Sequence, residues 1–289
     1  MFLERFVNYL QYEKRYSAHT ITAYRNDLGQ YLGFLTGLGL TLDAATHFQV
    51  RSWMVDLLDR GSDPKTINRK LSSLRTFYKF LVREKLVAHD PSARVRAPGV
   101  PKRLPVVVEE AKINVLLDST AFDEGFPGLR DRVVLELLFG TGMRLSELTG
   151  LREADINKYE RLIRVMGKGG KERLVPVHHS LMQLLVSYLD EKRLVSTSSA
   201  VIVTNSGEAA YPKLVYRIVN RYLGLISTRS RKSPHVLRHT FATALLNNGA
   251  DLNAIKELLG HASLAATQVY THNSVERLKS IYKQAHPKA

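Results

Sequence analysis

Residues 233–272 read SPHVLRHTFATALLNNGADLNAIKELLGHASLAATQVYTH, and this is the most informative stretch of the chain. Ser233 and Pro234 predict the start of a helix, because serine is a favoured N-cap and proline fits the first helical turn. His235 and Arg238 then lie three residues apart and share one face of that helix. Both side chains are therefore predicted to reach a single anion, such as a phosphate.

The same stretch predicts a second helix and a turn after it. Gly249 is expected to end the first helix, Asp251 to cap the next one and Gly260 to end it, because glycine readily adopts the left-handed backbone of a helix end. His261 would then lie on a turn, where its ring is free to point into a site. Tyr270 is predicted near the end of a short helix that follows.

A second arginine precedes this stretch by about ninety residues in the printed sequence. Arg144 follows Gly140-Thr-Gly-Met at the start of a helical run. Its guanidinium and nearby backbone N–H groups could converge on one anion there. The alternative is a structural ion pair between Arg144 and Glu147.

Two lysines lie in a predicted β-hairpin. Residues 161–166 and 172–177 are β-prone runs on either side of Gly167-Lys-Gly-Gly-Lys, a pattern typical of two strands joined by a tight turn. Lys168 and Lys171 both fall in that turn. They are alternative candidates for a single functional lysine. Such a role is suggested only by the arginines and histidines elsewhere in the set, because a lysine in a turn is usually just solvated.

None of these segments predicts a metal or nucleotide site. His235 and His239 have the i, i+4 spacing of a zinc pair, but no glutamate follows His235 and no acidic third ligand is near. The glycines at 140 and 142 lack the third glycine of a dinucleotide loop, and residues 167–171 do not match a phosphate loop. We therefore expect no metal, no ATP and no other cofactor. A metal-dependent nuclease is disfavoured too, because no cluster of carboxylates accompanies the basic residues.

The N-terminal part has a different pattern. Residues 1–87 show apolar positions at helical spacing in four stretches, which predicts a small helical domain. Residues 91–105 hold four prolines among several Lys and Arg residues and predict an extended basic linker. The fourth helical stretch carries three cations outside its apolar stripe: Arg69, Arg75 and Lys79. They are candidate DNA contacts; the alternative is that they form an ordinary solvated helix face.

The composition fits a two-domain protein that binds nucleic acid. Its 289 residues, 44% of them hydrophobic, are enough for two cores. Lys and Arg outnumber Asp and Glu by 42 to 27, and this excess suits a polyanion, because each neutralised phosphate releases counterions. A basic surface without such a partner is the alternative. The chain has no cysteine, no recognisable leader and no membrane-spanning apolar run, so we expect a cytoplasmic protein without membrane insertion.

Together these segments resemble the tyrosine recombinases, and within that family the Xer subgroup, over essentially the full length of the chain. The runs LRHTFAT, ELLGHAS and TQVYTH are similar to Xer sequences, and residues 281–288 resemble the XerC branch more than the XerD branch. The catalytic signature of the family is Arg, Lys, His-x-x-Arg, His or Trp, then Tyr. It falls here on Arg144, Lys168, His235, Arg238, His261 and Tyr270.

The resemblance implies a mainly α fold with a small β-hairpin in the catalytic domain, arranged as a two-domain clamp on DNA. Residues 1–90 would form the N-terminal helical, SAM-like core-binding domain, and residues 91–105 the basic linker. Residues 106–289 would form the catalytic domain. Its end, residues 274–289, would dock on a neighbouring protomer through apolar residues at helical spacing.

The resemblance also implies a mechanism. Tyr270 would attack the scissile phosphate and form a 3′-phosphotyrosyl link, which a 5′-hydroxyl of a partner strand later reverses. The two arginines of the signature would hold the nonbridging oxygens. Lys168 would protonate the departing 5′-oxygen, His235 would take or share the tyrosine proton, and His261 would hydrogen-bond the phosphate.

The implied partners are double-stranded DNA with paired half-sites and further recombinase subunits. A Xer protein would act in a tetramer, commonly with a second Xer recombinase and a septal DNA translocase, to resolve chromosome dimers at a dif-like site.

The integrase of a mobile element shares every catalytic residue and is the alternative, which the compact length disfavours. A type IB topoisomerase is disfavoured by the candidate docking tail. A DNA-binding regulator without catalysis is disfavoured by the complete residue set.

Overall fold

The chain forms two compact units, Met1–Arg103 and Leu104–Ala289. The computed structural model describes residues 2–101, 108–167, 170–227, 232–260, 272–286 and 288, and of residues 272–274 the backbone alone. Helices dominate both units and a small sheet lies in the second, which confirms the predicted mainly α fold class. Among the described residues, no helix is long and apolar enough to cross a membrane.

Four α-helices build the described part of the first unit, as the apolar spacing of residues 1–87 predicted. In chain order they are α1 (Phe2–Asn8, continued by a π-helical turn over Tyr9–Glu13), α2 (Ala18–Gly37), α3 (His47–Asp59) and α4 (Pro64–Arg83). The last three begin after polar residues whose side chains accept a backbone N–H of the first turn: Ser17, Thr46 and Asp63. These caps satisfy donors that the helix itself leaves unpaired.

Aromatic side chains fill the core of the first unit. Trp53 on α3 packs edge-on against Tyr31 on α2, with ring centroids 5.0 Å apart. The hydroxyl of Tyr31 lies 3.3 Å from that of Tyr78 on α4, and Tyr78 donates to the carbonyl of Leu42 at 3.3 Å. The two buried hydroxyl groups are therefore paired, and the contacts tie α2, α3 and α4 together.

Residues 91–98, predicted as the start of the linker, pack on α4. Ser92 and Val95 are buried. Arg75 on α4 donates to the carbonyl of Val95 at 2.5 Å and to that of Ser92 at 3.4 Å. These hydrogen bonds hold a proline-containing segment that has no partner strand or helix of its own. The predicted linker residues 102–105 lie outside the described residues.

The second unit is built around one buried helix. Its described helices are α5 (Glu110–Asp118), α6 (Gly125–Thr141), α7 (Leu145–Gly150), α8 (His179–Val195), α9 (Pro212–Ile226), α10 (Pro234–Asn247), α11 (Leu252–Leu259) and α12 (His272–Ala285). α6 is buried over most of its length and packs against α8, α9 and α10, as expected for a helix with apolar residues all round.

The predicted hairpin is confirmed. β2 (Leu162–Met166) pairs antiparallel with β3 (Glu172–Pro176), and the N–H of Gly167 donates to the carbonyl of Lys171 at 2.7 Å, closing the turn. A third strand, β1 (Ile156–Asn157), pairs with the other edge of β2 and was not predicted. Two residues are too few to show the alternation that identifies a strand.

The C-terminal helix packs on its own unit in the single protomer. The expected docking of residues 274–289 on a neighbouring protomer stays a prediction. Leu278 and Tyr282 of α12 are 2% and 3% exposed and join an apolar cluster of α10 and α11. Tyr282 Oη donates to the carbonyl of Gly140 at 2.7 Å, and His286 Nε2 donates to the same oxygen at 3.1 Å. Within one protomer, α10 and α11 cover these apolar residues of α12.

Candidate active site

The turn between α6 and α7 positions Arg144. α6 is followed by Gly142, whose φ of 60° lies in the left-handed region. A Cβ atom at this position would lie 2.4 Å from the Phe241 ring and 2.8 Å from Leu259 Cδ2. Glycine is therefore required both by the backbone and by the close approach of α10 and α11. Two residues later, Arg144 occupies the N-cap position of α7.

Glu147 on α7 binds Arg144 twice. Its Oε2 accepts the backbone N–H of Arg144 at 2.6 Å, and its Oε1 accepts Arg144 Nη1 at 2.7 Å. The ion pair considered as the alternative is therefore present, and the backbone N–H predicted to face an external anion faces Glu147 instead. The Arg144 side chain is still 35% exposed, so part of the guanidinium remains open to a ligand.

Three arginines converge on the C-terminal end of α11. The last carbonyl groups of a helix have no partner within it and carry the negative end of its dipole, so cations are stabilised there. Each of three consecutive carbonyl groups accepts a hydrogen bond from one guanidinium. Arg173 donates to Leu258 at 2.8 Å, Arg238 to Leu259 at 2.8 Å and Arg144 to Gly260 at 3.2 Å. The site is thus assembled around the residues that lead into His261.

The charges in this cluster are strongly coupled. Burial alone would raise the pKa of Glu147, but the hydrogen bonds and charge of Arg173 and the N–H groups of Arg144 outweigh it and hold that pKa at about 2. Burial, together with the charge of Arg144, lowers the pKa of Arg238 from 12.5 to about 10. At neutral pH the Glu147 carboxylate is therefore ionised and the Arg238 guanidinium is protonated. Among the described residues, one carboxylate therefore faces three guanidinium groups, and the site favours an anion.

The predicted start of α10 and the spacing of its candidate residues are confirmed. The helix begins at Pro234, so His235 and Arg238 lie one turn apart, and Arg238 Nη1 donates to the carbonyl of Gly142 at 2.6 Å. The His235 side chain is exposed. His239 follows one turn later, and no cluster of three or more metal-ligating side chains occurs among the residues described.

The two ends of α11 follow the prediction. The Asp251 side chain caps the helix by accepting the N–H groups of Asn253 and Ala254, and Gly260 ends it with a φ of 65°. Three predicted catalytic residues lie outside the described residues: Lys168, His261 and Tyr270. The structure therefore brings together Arg144 and Arg238 from two separate motifs, and His235 lies one helical turn from Arg238.

Sequence reasoning missed the role of two residues in the cluster. Glu147 was considered only as a partner of Arg144, and Arg173 was not singled out at all. One signal for Arg173 was available, because it pairs with Val165 in the hairpin and lies on the buried face of β3. An arginine at an inward-facing strand position requires a buried anion or carbonyl group as partner.

The three candidate DNA contacts on α4 differ in their surroundings. Arg69 binds the buried carboxylate of Asp27 but keeps half of its side chain exposed. Arg75 is engaged with the carbonyl groups of the segment that follows α4, which leaves it a structural role. Lys79 is exposed. Of the three, Arg69 and Lys79 remain candidates for contact with a ligand.

Two family models match the chain. The model described as Phage integrase family matches residues 107–277, and the model described as Phage integrase, N-terminal SAM-like domain matches residues 3–85. Together they cover both structural units.

Relatives and a solved structure agree with these matches. The chain is 39% identical to tyrosine recombinase XerC of Chlorobaculum parvum, over 99% of this chain and 94% of the relative. It is 36% identical to tyrosine recombinase XerD of Staphylococcus epidermidis, over 99% of both chains. Its fold is similar to that of the XerH site-specific recombinase in a post-cleavage complex with palindromic difH substrate. The TM-score is 0.74 at 22% identity, over 96% of this chain and 82% of the other.

Two basic units, an anion-binding arginine cluster and full-length similarity to recombinases point to one kind of enzyme. The chain belongs to the phage integrase family of tyrosine recombinases, and within it to the Xer subgroup, so that it acts as a site-specific enzyme that cuts and rejoins DNA.

Proposed function

We propose that this recombinase resolves chromosome dimers at a dif-like site during cell division. The observation that carries the proposal is the similarity to XerC and XerD proteins over 99% of the chain. The structure with the similar fold is that of a recombinase bound to a difH substrate, which is a DNA of the expected kind. A protein with this task acts on the chromosome, and so in the cytoplasm.

We assign the catalytic roles to the six residues of the family signature. Tyr270 attacks the phosphorus in line and displaces the 5′-oxygen, so the phosphodiester bond energy is kept in the 3′-phosphotyrosyl link. Arg144 and Arg238 bind the nonbridging oxygens, whose charge grows in the transition state; loss of one such donor typically costs about 3 kcal/mol. Lys168 donates a proton to the departing 5′-oxygen. The two histidines, His235 and His261, act on the tyrosine proton and on the phosphate.

The geometry of the described residues supports this assignment. The guanidinium groups of Arg144 and Arg238 donate to consecutive carbonyls at the end of α11, so both lie beside the peptide that leads into His261. His235 is one helical turn from Arg238 and exposed. A phosphate that reaches this corner can contact all three side chains.

The partners follow from the reaction. Exchange between two duplexes requires four cleavages, so the working unit is a tetramer that holds two DNA sites with paired half-sites. A second Xer recombinase and a septal DNA translocase complete the proposal. Arg69 and Lys79 on the first unit are proposed phosphate contacts, because both are exposed cations on one helix.

Covalent trapping tests the chemistry. The native chain is incubated with a nicked duplex carrying the dif-like site of the host chromosome, with EDTA present, and the products are run on a denaturing gel. The native chain should give a protein–DNA adduct, with a second Xer recombinase added if one is required. Tyr270→Phe should give none. Tyr159→Phe is the matched control, because Tyr159 is 99% exposed and lies on the same unit; an adduct that survives in Tyr270→Phe would refute the assignment of the nucleophile.

A second experiment separates chromosome dimer resolution from integration of a mobile element. The gene is deleted in the host, and native or Tyr270→Phe protein is supplied from a plasmid. Native protein should restore recombination between two copies of the dif-like site and remove chains of undivided cells. Recombination at the ends of a mobile element, with none at the dif-like site, would favour the integrase instead.

A further inference from the structure

Arg173 uses every nitrogen of its side chain on partners around the arginine cluster. It lies on β3 with 4% of its surface exposed. Nη1 and Nη2 donate to the two oxygens of Glu147 at 2.9 Å each, and Nε donates to the carbonyl of Leu258 at 2.8 Å. A guanidinium can make this planar, two-pronged contact with a carboxylate, whereas the ammonium of lysine cannot.

Both partners of Arg173 lead to Arg144. The first route runs through Glu147, whose two oxygens also accept the side chain and the backbone N–H of Arg144, at 2.7 and 2.6 Å. The second route runs through the end of α11, where Gly260 accepts Arg144 Nη2. Gly260 is packed so closely on Arg173 that a Cβ there would lie 3.1 Å from Arg173 Cδ.

We propose that Arg173 is a positioning residue for strand cleavage, which holds Glu147 against Arg144 and fixes the end of α11 from which the chain leads into His261. It does not touch the scissile phosphate. It fixes the positions of Arg144 and of the end of α11 before DNA binds. The inference rests on the proposed roles of Arg144 and His261.

A second buried cation of the same unit provides the comparison that separates positioning from stability. Lys192 on α8 is 0% exposed, and its ammonium binds Glu153 and the carbonyl of Ser198. It thus pairs with one carboxylate and one carbonyl, as Arg173 does. Among the described residues, none of its hydrogen bonds reaches α7 or α11.

The test compares the native chain with Arg173→Met, Arg173→Lys and Lys192→Met. Single-turnover rates of adduct formation are measured on the nicked duplex at saturating protein, below the unfolding temperature of each variant. Misplacement of catalytic groups should slow cleavage by Arg173→Met about 100-fold. Arg173→Lys should be slowed to a similar degree. Duplex affinity should stay within about threefold of native, because the phosphate-binding cations are all present. Lys192→Met should cleave at the native rate although it unfolds at a lower temperature.

The pH profile gives a readout that lost stability alone would not change. In the native chain Glu147 faces Arg144, Arg173 and, farther away, Arg238, and stays ionised throughout the working range. Without Arg173, the pKa of Glu147 should rise, because burial still disfavours the carboxylate and only Arg144 continues to stabilise it. The rate of Arg173→Met should therefore fall more steeply than the native rate as the pH is lowered. Adding Glu147→Gln should remove this extra fall.

Three outcomes would overturn the inference while leaving the proposed function intact. They are a native rate in Arg173→Met, an equal loss in Lys192→Met, and pH profiles that run parallel. If the native chain forms no adduct even with a second recombinase, the proposed function fails and the inference with it. If Arg173→Met loses its helical circular dichroism, the cleavage rate and the pH profile of Arg173→Lys are compared with those of the native chain instead.

Discussion

Gly142 shows how one residue fixes the distance between two motifs that lie far apart in the sequence. It has no side chain where Phe241 of α10 and Leu259 of α11 meet the end of α6. Its carbonyl accepts Arg238, and two residues later the chain reaches Arg144. The two arginines are therefore held at one corner because a single position carries no Cβ.

We expect Gly142→Ala to disrupt the active site. The left-handed backbone alone costs about 1–2 kcal/mol in a residue with a Cβ. The contacts at 2.4 and 2.8 Å add a steric cost and force α10 and α11 away from α6. The free energy of unfolding should fall in urea titrations, and adduct formation on the nicked duplex should fall by about 100-fold or more.

Gly249 provides the matched control for this prediction. Its φ of 85° is also left-handed, but a Cβ there would meet nothing within 4 Å. Gly249→Ala should therefore show the backbone cost and keep most of the cleavage activity. Equal losses of activity in the two variants would mean that backbone strain, and not the helix contact, explains the effect.

At the scale of elements, local patterns predicted the helices that present the site but not their partners. Ser233 and Pro234 mark the start of α10, although the Ser233 side chain makes no capping hydrogen bond, and Gly260 marks the end of α11. Such signals depend on neighbours within a few residues. The Glu147–Arg173 pair could not be predicted in the same way, since it joins α7 to β3. The spacing of α12 identified an apolar face. It did not tell whether that face meets its own chain or another.

The docking of α12 should weaken in acid. Burial lowers the pKa of His178 from 6.5 to about 4, and burial with the neighbouring His178 lowers that of His286 to about 3. Both rings are neutral in the native state, whereas below about pH 6.5 the unfolded state binds a proton on each. Stability is therefore lost as the pH falls from about 6.5 toward 4. At pH 5 each histidine costs roughly 2 kcal/mol.

Hydrogen exchange checks this prediction. After correction for intrinsic rates, the amides of residues 275–285 should open more readily at pH 5 than at pH 7. His178→Asn is the informative variant, because His178 Nδ1 accepts the N–H of Leu181 at the start of α8 and an asparagine oxygen can do the same without titrating. It should lose about half of the acid effect, and an unchanged acid effect would exclude His178 as its source.

At the scale of the whole molecule, positive charge is shared between the two units. Met1–Arg103 carries 17 Lys or Arg against 9 Asp or Glu, and the remainder carries 25 against 18. Each unit is therefore suited to a polyanion by itself. Association with DNA should depend steeply on salt, because every phosphate that is neutralised releases counterions.

Lys79 and Arg75 should respond differently in that measurement. Lys79→Gln should reduce the slope of log affinity against log salt by about 0.9, as expected for one lost phosphate contact, and leave stability unchanged. Arg75→Gln should keep the slope. It should lower the free energy of unfolding of the first unit by about 1–3 kcal/mol, since it leaves buried carbonyl groups unpaired. A reversed pattern would show that Arg75, and not Lys79, binds the phosphate.

Trp53 is the single tryptophan of the chain, and it lies in the core of the first unit against Tyr31. Light absorbed selectively by tryptophan therefore reports on one half of the protein only. Its emission follows the packing of α2 and α3, while the far-ultraviolet circular dichroism follows helices in both halves. Both signals can be recorded in one denaturation series. Coincident unfolding curves would show that the two units unfold in a single cooperative transition. If the two curves differ, they report the stability of each unit within the intact protein, so the chain need not be divided.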